Sequence, residues 1–250
     1  MHTSATQVLA PTGVLRATIN IGNPILAYLD ANQQPQGISV DLAHHLASAL
    51  GVKAVCQVVQ TAIQSVEAVE TGQADVGFFA IDPKRGENIA FTAPYVLIEG
   101  YYLVDKTSPI IENQQVDHAD HTVVVGQGSA YDLYLTRTLK QARILRAASS
   151  QAVVETFVKG QYAVAAGVKQ QLMLDAQPYP NLKLLNDRFM VIEQAMGVAK
   201  ARGFEAILFL RSFIESTKAS AFISDSINKH QVAGAELAPS ADPSQDPLQR

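Results

Sequence analysis

The chain has 250 residues, 48% hydrophobic and 17% charged, which is the composition of a folded protein and excludes a disordered one. Its 19 Lys plus Arg against 23 Asp plus Glu give a formal net charge of -4, with no basic tract able to neutralise a phosphate backbone, so nucleic acid is not an expected partner. No run of eighteen apolar residues occurs, so direct membrane insertion is not expected either.

The first eleven residues, MHTSATQVLAP, lack a basic start and a continuous apolar segment; they read as a flexible tail and not as a signal peptide. Val14–Ile19 is a β-prone run, followed by a loop through Asn20, Gly22, Asn23 and Pro24. Leu42, Leu46 and Leu50 recur every four residues, the buried stripe of a helix that Gly51 ends. A strand over 52–59, a helix over 62–71 and a strand over 76–81 follow. Parallel strands need crossover helices, so this alternation predicts an α/β lobe.

The second half repeats the rhythm. Strands are expected over 122–125, 142–146 and 162–166, with helices over 130–139, 151–159 and 168–176. An apolar strand over 188–192 and a long helix over 204–217 return to the first lobe. The predicted organisation is lobe 1 at 12–102 and 192–232, an inserted lobe 2 at 103–191, and flexible tails at 1–11 and 238–250. In such folds ligands sit beyond the carboxyl ends of the strands. With two lobes, the expected place is the cleft between them.

Several residues offer chemistry. Asp82-Pro83 can open a helical turn, which sets Arg85 near the carboxyl edge of the third strand, where a guanidinium can clamp a carboxylate. A salt bridge to Glu87 or simple solvation is the competing reading of Arg85. Gly126-Gln127-Gly128-Ser129 lies at a strand-to-helix junction, where N–H groups can hold an anionic oxygen, or where Ser129 is only an N-cap. Phe78, Phe79, Tyr95, Tyr101 and Tyr102 are core or cleft aromatics. Asp75, Asp82, Glu87 and Glu99 are imaginable acid–base groups, yet nothing sets two of them opposite each other, and no G-x-S-x-G elbow occurs. His44 and His45 are adjacent and lack the spacing of a zinc pair, and no metal or cofactor is expected. Lys140, Arg143 and Arg146 read as a solvated face. Cys56, the only cysteine, reads as a small buried hydrophobe.

The ordered set of motifs resembles the bacterial extracellular solute-binding proteins, family 3, which bind polar amino acids for ABC importers. Gly37-Ile38-Ser39-Val40-Asp41-Leu42-Ala43 is similar to that family's G-F-D-V-D-L-A segment, and Gly72-Gln73-Ala74-Asp75 to its G-x-x-D turn. Pro83-Lys84-Arg85 with Phe91-Thr92-Ala93-Pro94-Tyr95 resembles T-P-E-R…F-S-x-P-Y, and Gly126–Ala130 resembles the Q-x-G-T-T loop. The resemblance implies a two-lobed type II periplasmic binding protein fold with parallel-sheet lobes and a two-crossing hinge, near 100–104 and 189–192. It implies a monomer in the periplasm, or in the cytoplasm if the native gene has no signal peptide, working with an ABC permease and no catalysis. Arg85 would grip a ligand carboxylate, with Ser129, Gly128, Ala130, Phe79, Ala80 and Asn23 around it. The family's ammonium-binding aspartate falls at Gly167, which leaves Glu99, Glu193 or Asp132 to substitute, or an organic carboxylate as ligand. A dehydratase acting on cyclic carboxylates such as arogenate or prephenate is the enzymatic alternative on this fold, and a sensory ligand-binding protein is a further one.

Overall fold

The structure is a computed structural model that describes residues 4–241. The chain divides into unit 1, up to Leu97 and again from Glu193, and unit 2, Ile98–Ile192. Each unit carries a sheet flanked by helices, the two-lobed α/β architecture of a type II periplasmic binding protein.

Unit 1 begins with α1 (Ser4–Leu9) and β1 (Val14–Asn20). The short antiparallel pair β2 (Tyr28–Leu29) and β3 (Pro35–Gln36) leads into α2 (Ile38–Ala49). Gly37, with φ 119°, enters that helix so close to Leu26 that an added Cβ would lie 2.5 Å from its carbonyl oxygen; only glycine fits there. Leu42 and Leu46 are buried, as their spacing predicts. β4 (Lys53–Val59) lies parallel to β1 in full register, Val14 opposite Lys53 through Asn20 opposite Val59. α3 (Ala62–Glu70), capped by Thr61, then leads to β5 (Gly77–Ala80), beside β1 through an Ala17–Val76 bridge. β6 (Ile89–Phe91) and β7 (Val96–Asp105) follow, and β7 carries the chain into unit 2.

Unit 2 contains β8 (Thr122–Gly126), α4 (Ala130–Thr138), β9 (Arg143–Ala147), α5 (Val153–Lys159), β10 (Val164–Val168), α6 (Lys169–Asp175) and β11 (Leu182–Leu184). β9, β8 and β10 are parallel neighbours, whereas β7 runs antiparallel to β10 and β11 antiparallel to β7. Leu103, Val124, Val153, Phe157, Ala165 and Leu172 form the core of this unit.

β12 (Met190–Ala199) returns to unit 1 and pairs antiparallel with β5 and β6. α7 (Phe204–Ala219), α8 (Phe222–Lys229) and β13 (Glu236–Leu237) complete the chain, with β13 against the start of β7. The lobes therefore hold mixed sheets and not purely parallel ones: the crossing strands β7 and β12 each enter against the local strand direction.

Two expectations fail at the ends. Residues 4–11 are not a tail, because Ala5, Leu9 and Ala10 are buried and α1 packs on α7. Arg202 also donates to the Val8 carbonyl at 3.0 Å, and Thr6 to that of Leu50 at 3.1 Å. Ala238 is buried as well, its N–H donating to Tyr95 at 3.1 Å. The rest of the expected C-terminal tail, 242–250, lies outside the described residues. Among the described residues no helix is long and apolar enough to cross a membrane.

Candidate functional site

In unit 1 the site is built at the carboxyl end of β5. The Asp82 side chain accepts the Lys84 N–H at 2.8 Å and its carbonyl accepts that of Gly86 at 2.8 Å, which makes the turn that Asp82-Pro83 predicts. That turn folds Arg85, in a 3-10 segment Arg85–Glu87, back beneath the strand end, where Nη1 donates to the Ala80 carbonyl at 3.0 Å. Arg85 is 6% exposed, so simple solvation is excluded for it. Burial lowers its pKa to about 10, partly opposed by the charge of Asp82, and the guanidinium stays cationic at neutral pH.

The neighbours of Arg85 divide by role. Phe79 is a core side chain, packed with Ala68, Val69, Ala74 and Ile89 and edge-on to Phe91. An added Cβ at Gly77 would meet the Phe79 ring at 2.3 Å, which shows how tightly that ring is held. Ala80 is buried, with its carbonyl committed to Arg85. The Asn23 carbonyl accepts the N–H groups of Leu26 and Ala27 at 3.0 and 3.2 Å and shapes the loop after β1. Glu193 is exposed at the same sheet end, its carbonyl accepting the Ile81 N–H at 2.8 Å.

In unit 2 the loop after β8 is committed to an internal anion. Ser129 is the N-cap of α4 and accepts the Asp132 N–H at 3.1 Å. Gly128, with φ +68°, donates its N–H to Asp132 Oδ2 at 2.8 Å. Asp132 is 3% exposed and also takes Arg146 Nε at 3.0 Å and the Thr136 hydroxyl at 3.2 Å. Asp132 is therefore no ready substitute as an ammonium acceptor, and Arg146, exposed as a solvated-face residue would be, also pairs with it. Ala130 opens α4 behind the cap.

Gly167 sits in β10 opposite Tyr101, and an added Cβ would lie 3.0 Å from Leu172 carbons. A side chain at this position would press on that of Leu172. Beside it Glu99 accepts Arg188 Nη1 at 2.8 Å and stands 3.6 Å from Lys169 Nζ, so it too is already paired. Sequence reasoning did not single out Lys169 or Arg188. The Ser129-x-x-Asp132 spacing, a capping pattern, was a readable sign of the internal anion.

Tyr95, Phe78 and His45 pack against neighbouring rings. Tyr95 is fully buried and edge-on to Phe78, and its hydroxyl is pushed to a higher pKa by burial. His45 stacks on Phe222 at 4.2 Å. Asp75, an imaginable acid–base group, is fully buried between Arg16 and Arg202.

The model for bacterial extracellular solute-binding proteins, family 3, matches residues 15–220. No curated protein sequence matches the chain. Among solved structures, the solute receptor for L-cysteine of Neisseria gonorrhoeae is 22% identical with TM-score 0.77, covering 93% of this chain and 95% of that one. The cysteine-binding protein of Campylobacter jejuni is 21% identical with TM-score 0.74, over 97% of both chains. The ancestral amino acid-binding protein AncCDT-1, a precursor of cyclohexadienyl dehydratase, is 20% identical with TM-score 0.73, over 91% of this chain and 99% of that one. These likenesses establish the shared fold. The family match spans most of the chain, and the protein belongs to the bacterial extracellular solute-binding proteins, family 3.

Proposed function

We propose that this family member is the solute-binding component of an ABC importer, acting without catalysis as a monomer in the periplasm, and that its solute is small and carries a carboxylate. The observation that carries the reading is Arg85, a buried cation held at the carboxyl end of β5 by its own strand. Desolvation strengthens any charge-assisted bond it makes, and a guanidinium matches a carboxylate with two parallel hydrogen bonds. Exposed Glu193 is the acceptor left for a ligand ammonium, because Glu99 and Asp132 are engaged within unit 2. Gly128 and Ser129, whose N–H groups are taken by Asp132 and Gly126, bring no charge to the solute, and neither do Ala130 and Gly167. The cysteine-binding relatives support amino acids as a class to test.

Calorimetry with a panel of amino acids and organic acids tests this. Arg85→Ala should weaken carboxylate binding by roughly 100-fold or more, the scale of truncating one partner of a buried charge pair. Undiminished affinity in a folded Arg85→Ala protein would overturn the assignment.

A further inference from the structure

Within unit 1 a chain of polar side chains joins β2, α2 and α8. Asp41 stands in the first turn of α2, and His230 follows the last turn of α8 with its side chain only 4% exposed. His230 Nε2 lies 2.9 Å from Asp41 Oδ2, and His230 Nδ1 lies 3.1 Å from the Tyr28 hydroxyl. The Ser226 hydroxyl donates to Asp41 Oδ2 at 2.7 Å, and Lys229 Nζ donates to Oδ1 at 2.9 Å.

These bonds fix the direction of the relay. Hydrogen bonds from Lys229, Ser226 and His230 outweigh burial and keep Asp41 ionised at neutral pH, so it can only accept. His230 Nε2 must therefore carry a proton, and the neutral imidazole keeps its lone pair on Nδ1. The Tyr28 hydroxyl donates to that lone pair, with its ring edge-on to the imidazole at 5.9 Å. Tyr28 is 38% exposed, whereas the other seven tyrosines are half-buried or buried. An accessible hydroxyl thus faces a base that is shielded from water and oriented by a carboxylate, the arrangement that activates a nucleophilic oxygen. Ser226 is not that nucleophile, because it is buried and its proton goes straight to Asp41.

We propose that Tyr28 is a modification site, an acyl acceptor that reacts with an activated acyl donor such as an acyl phosphate or activated ester, with His230 as general base and Asp41 as its positioning residue. Tyr28 Oη attacks the carbonyl carbon of the donor while its proton passes to His230 Nδ1. The bond from that carbon to the leaving oxygen breaks, the electron pair departs with the oxygen, and the imidazolium returns the proton to the leaving group. The product is a tyrosyl ester in unit 1, formed without oxidant or reductant and independently of the solute reading at Arg85.

The full chain treated with p-nitrophenyl acetate, with acetylation followed residue by residue by peptide mass spectrometry, tests this. Tyr28 should be acetylated about tenfold faster or more in the wild type than in His230→Gln, a modest share of what a positioned general base supplies. Asp41→Asn should also slow it, and Asp41→Glu should recover part of the loss. The titratable groups that face His230 are Asp41 from α2 and Tyr28 from β2, with Lys229 beyond Asp41. The wild-type rate at Tyr28 should therefore rise in one step between about pH 5 and 8, the range in which imidazoles titrate, and that step should be missing in His230→Gln. Tyr28→Phe, which removes only the hydroxyl, should abolish the fast site in a folded protein. Equal Tyr28 rates in the wild type and His230→Gln, a wild-type rate without the pH step, or acetylation of Tyr28 no faster than that of the other tyrosines would overturn the inference. The pH step is read on the wild type alone, so it decides the matter even where His230→Gln does not fold.

Discussion

Replacing Asp75 by Ala should destabilise unit 1 strongly without touching solute recognition. The carboxylate is fully buried and accepts four hydrogen bonds: the Arg16 N–H at 2.9 Å, Arg16 Nε at 3.0 Å, Arg16 Nη2 at 2.6 Å and Arg202 Nη2 at 2.5 Å. It thereby joins β1, the turn before β5 and the segment after β12, and Arg202 extends the tie to α1 through Val8. Removing one member of a buried ion pair costs about 3–5 kcal/mol, because the partner is left buried and uncompensated. The guanidinium side chains of Arg16 and Arg202 are 24% and 16% exposed and regain some water, which favours the lower end, about 3 kcal/mol. With a urea slope of about 2–3 kcal/mol/M, the unfolding midpoint should fall by roughly 1 M. Asp75→Asn, which keeps shape and two polar atoms, should lose less. Solute affinity measured below the unfolding transition should be unchanged in both. A stable Asp75→Ala protein, or one that stays folded but loses its solute, would refute the structural role and return Asp75 to the chemistry of the site.

Asp41 governs a second surface tie. Burial alone would raise its pKa, but hydrogen bonds from Lys229, Ser226 and His230 outweigh it and hold the carboxylate below its usual range. A lowered folded-state pKa contributes stability above the unfolded value, about 4, and that contribution is lost as pH falls through the folded value. Asp41→Asn should therefore be about 1 kcal/mol less stable at neutral pH, with the gap to wild type closing below about pH 4 in urea titrations. Ser129→Ala removes the α4 cap and should cost about 1 kcal/mol of unfolding free energy in urea, with native-state hydrogen exchange rising first in the opening turn of α4.

The repeating strands and helices were legible because period and punctuation agree: Leu42 and Leu46 bury one face of α2, and Gly51 and Gly72, both with positive φ, follow the helices they were expected to end. Antiparallel β7 was not legible as a strand of ten residues, since its apolar run Val96–Val104 carries no alternation and its partner is distant in sequence. α1 was missed for a related reason, because contact with α7, distant in sequence, gives Ala5 and Leu9 a face to bury. At the site, Arg85 was placed correctly at the strand end by the Asp82-Pro83 turn, but its burial depends on tertiary packing. The Phe79 ring went the other way, into the core beside Gly77. Lys169 and Arg188 are nineteen residues apart, and Glu99 is further still, so their meeting is a product of strand register alone.

Strand register also brings charged groups to their internal partners. Three charged groups near the two strand ends already have internal partners: Arg85 has the Ala80 carbonyl, Asp132 has Arg146 and Gly128, and Glu99 has Arg188. A solute must match these groups in charge, because a wrong charge leaves a partly desolvated group repelled and not merely unpaired. On the proposed carboxylate reading, selectivity follows from the sign left over once internal pairs are counted.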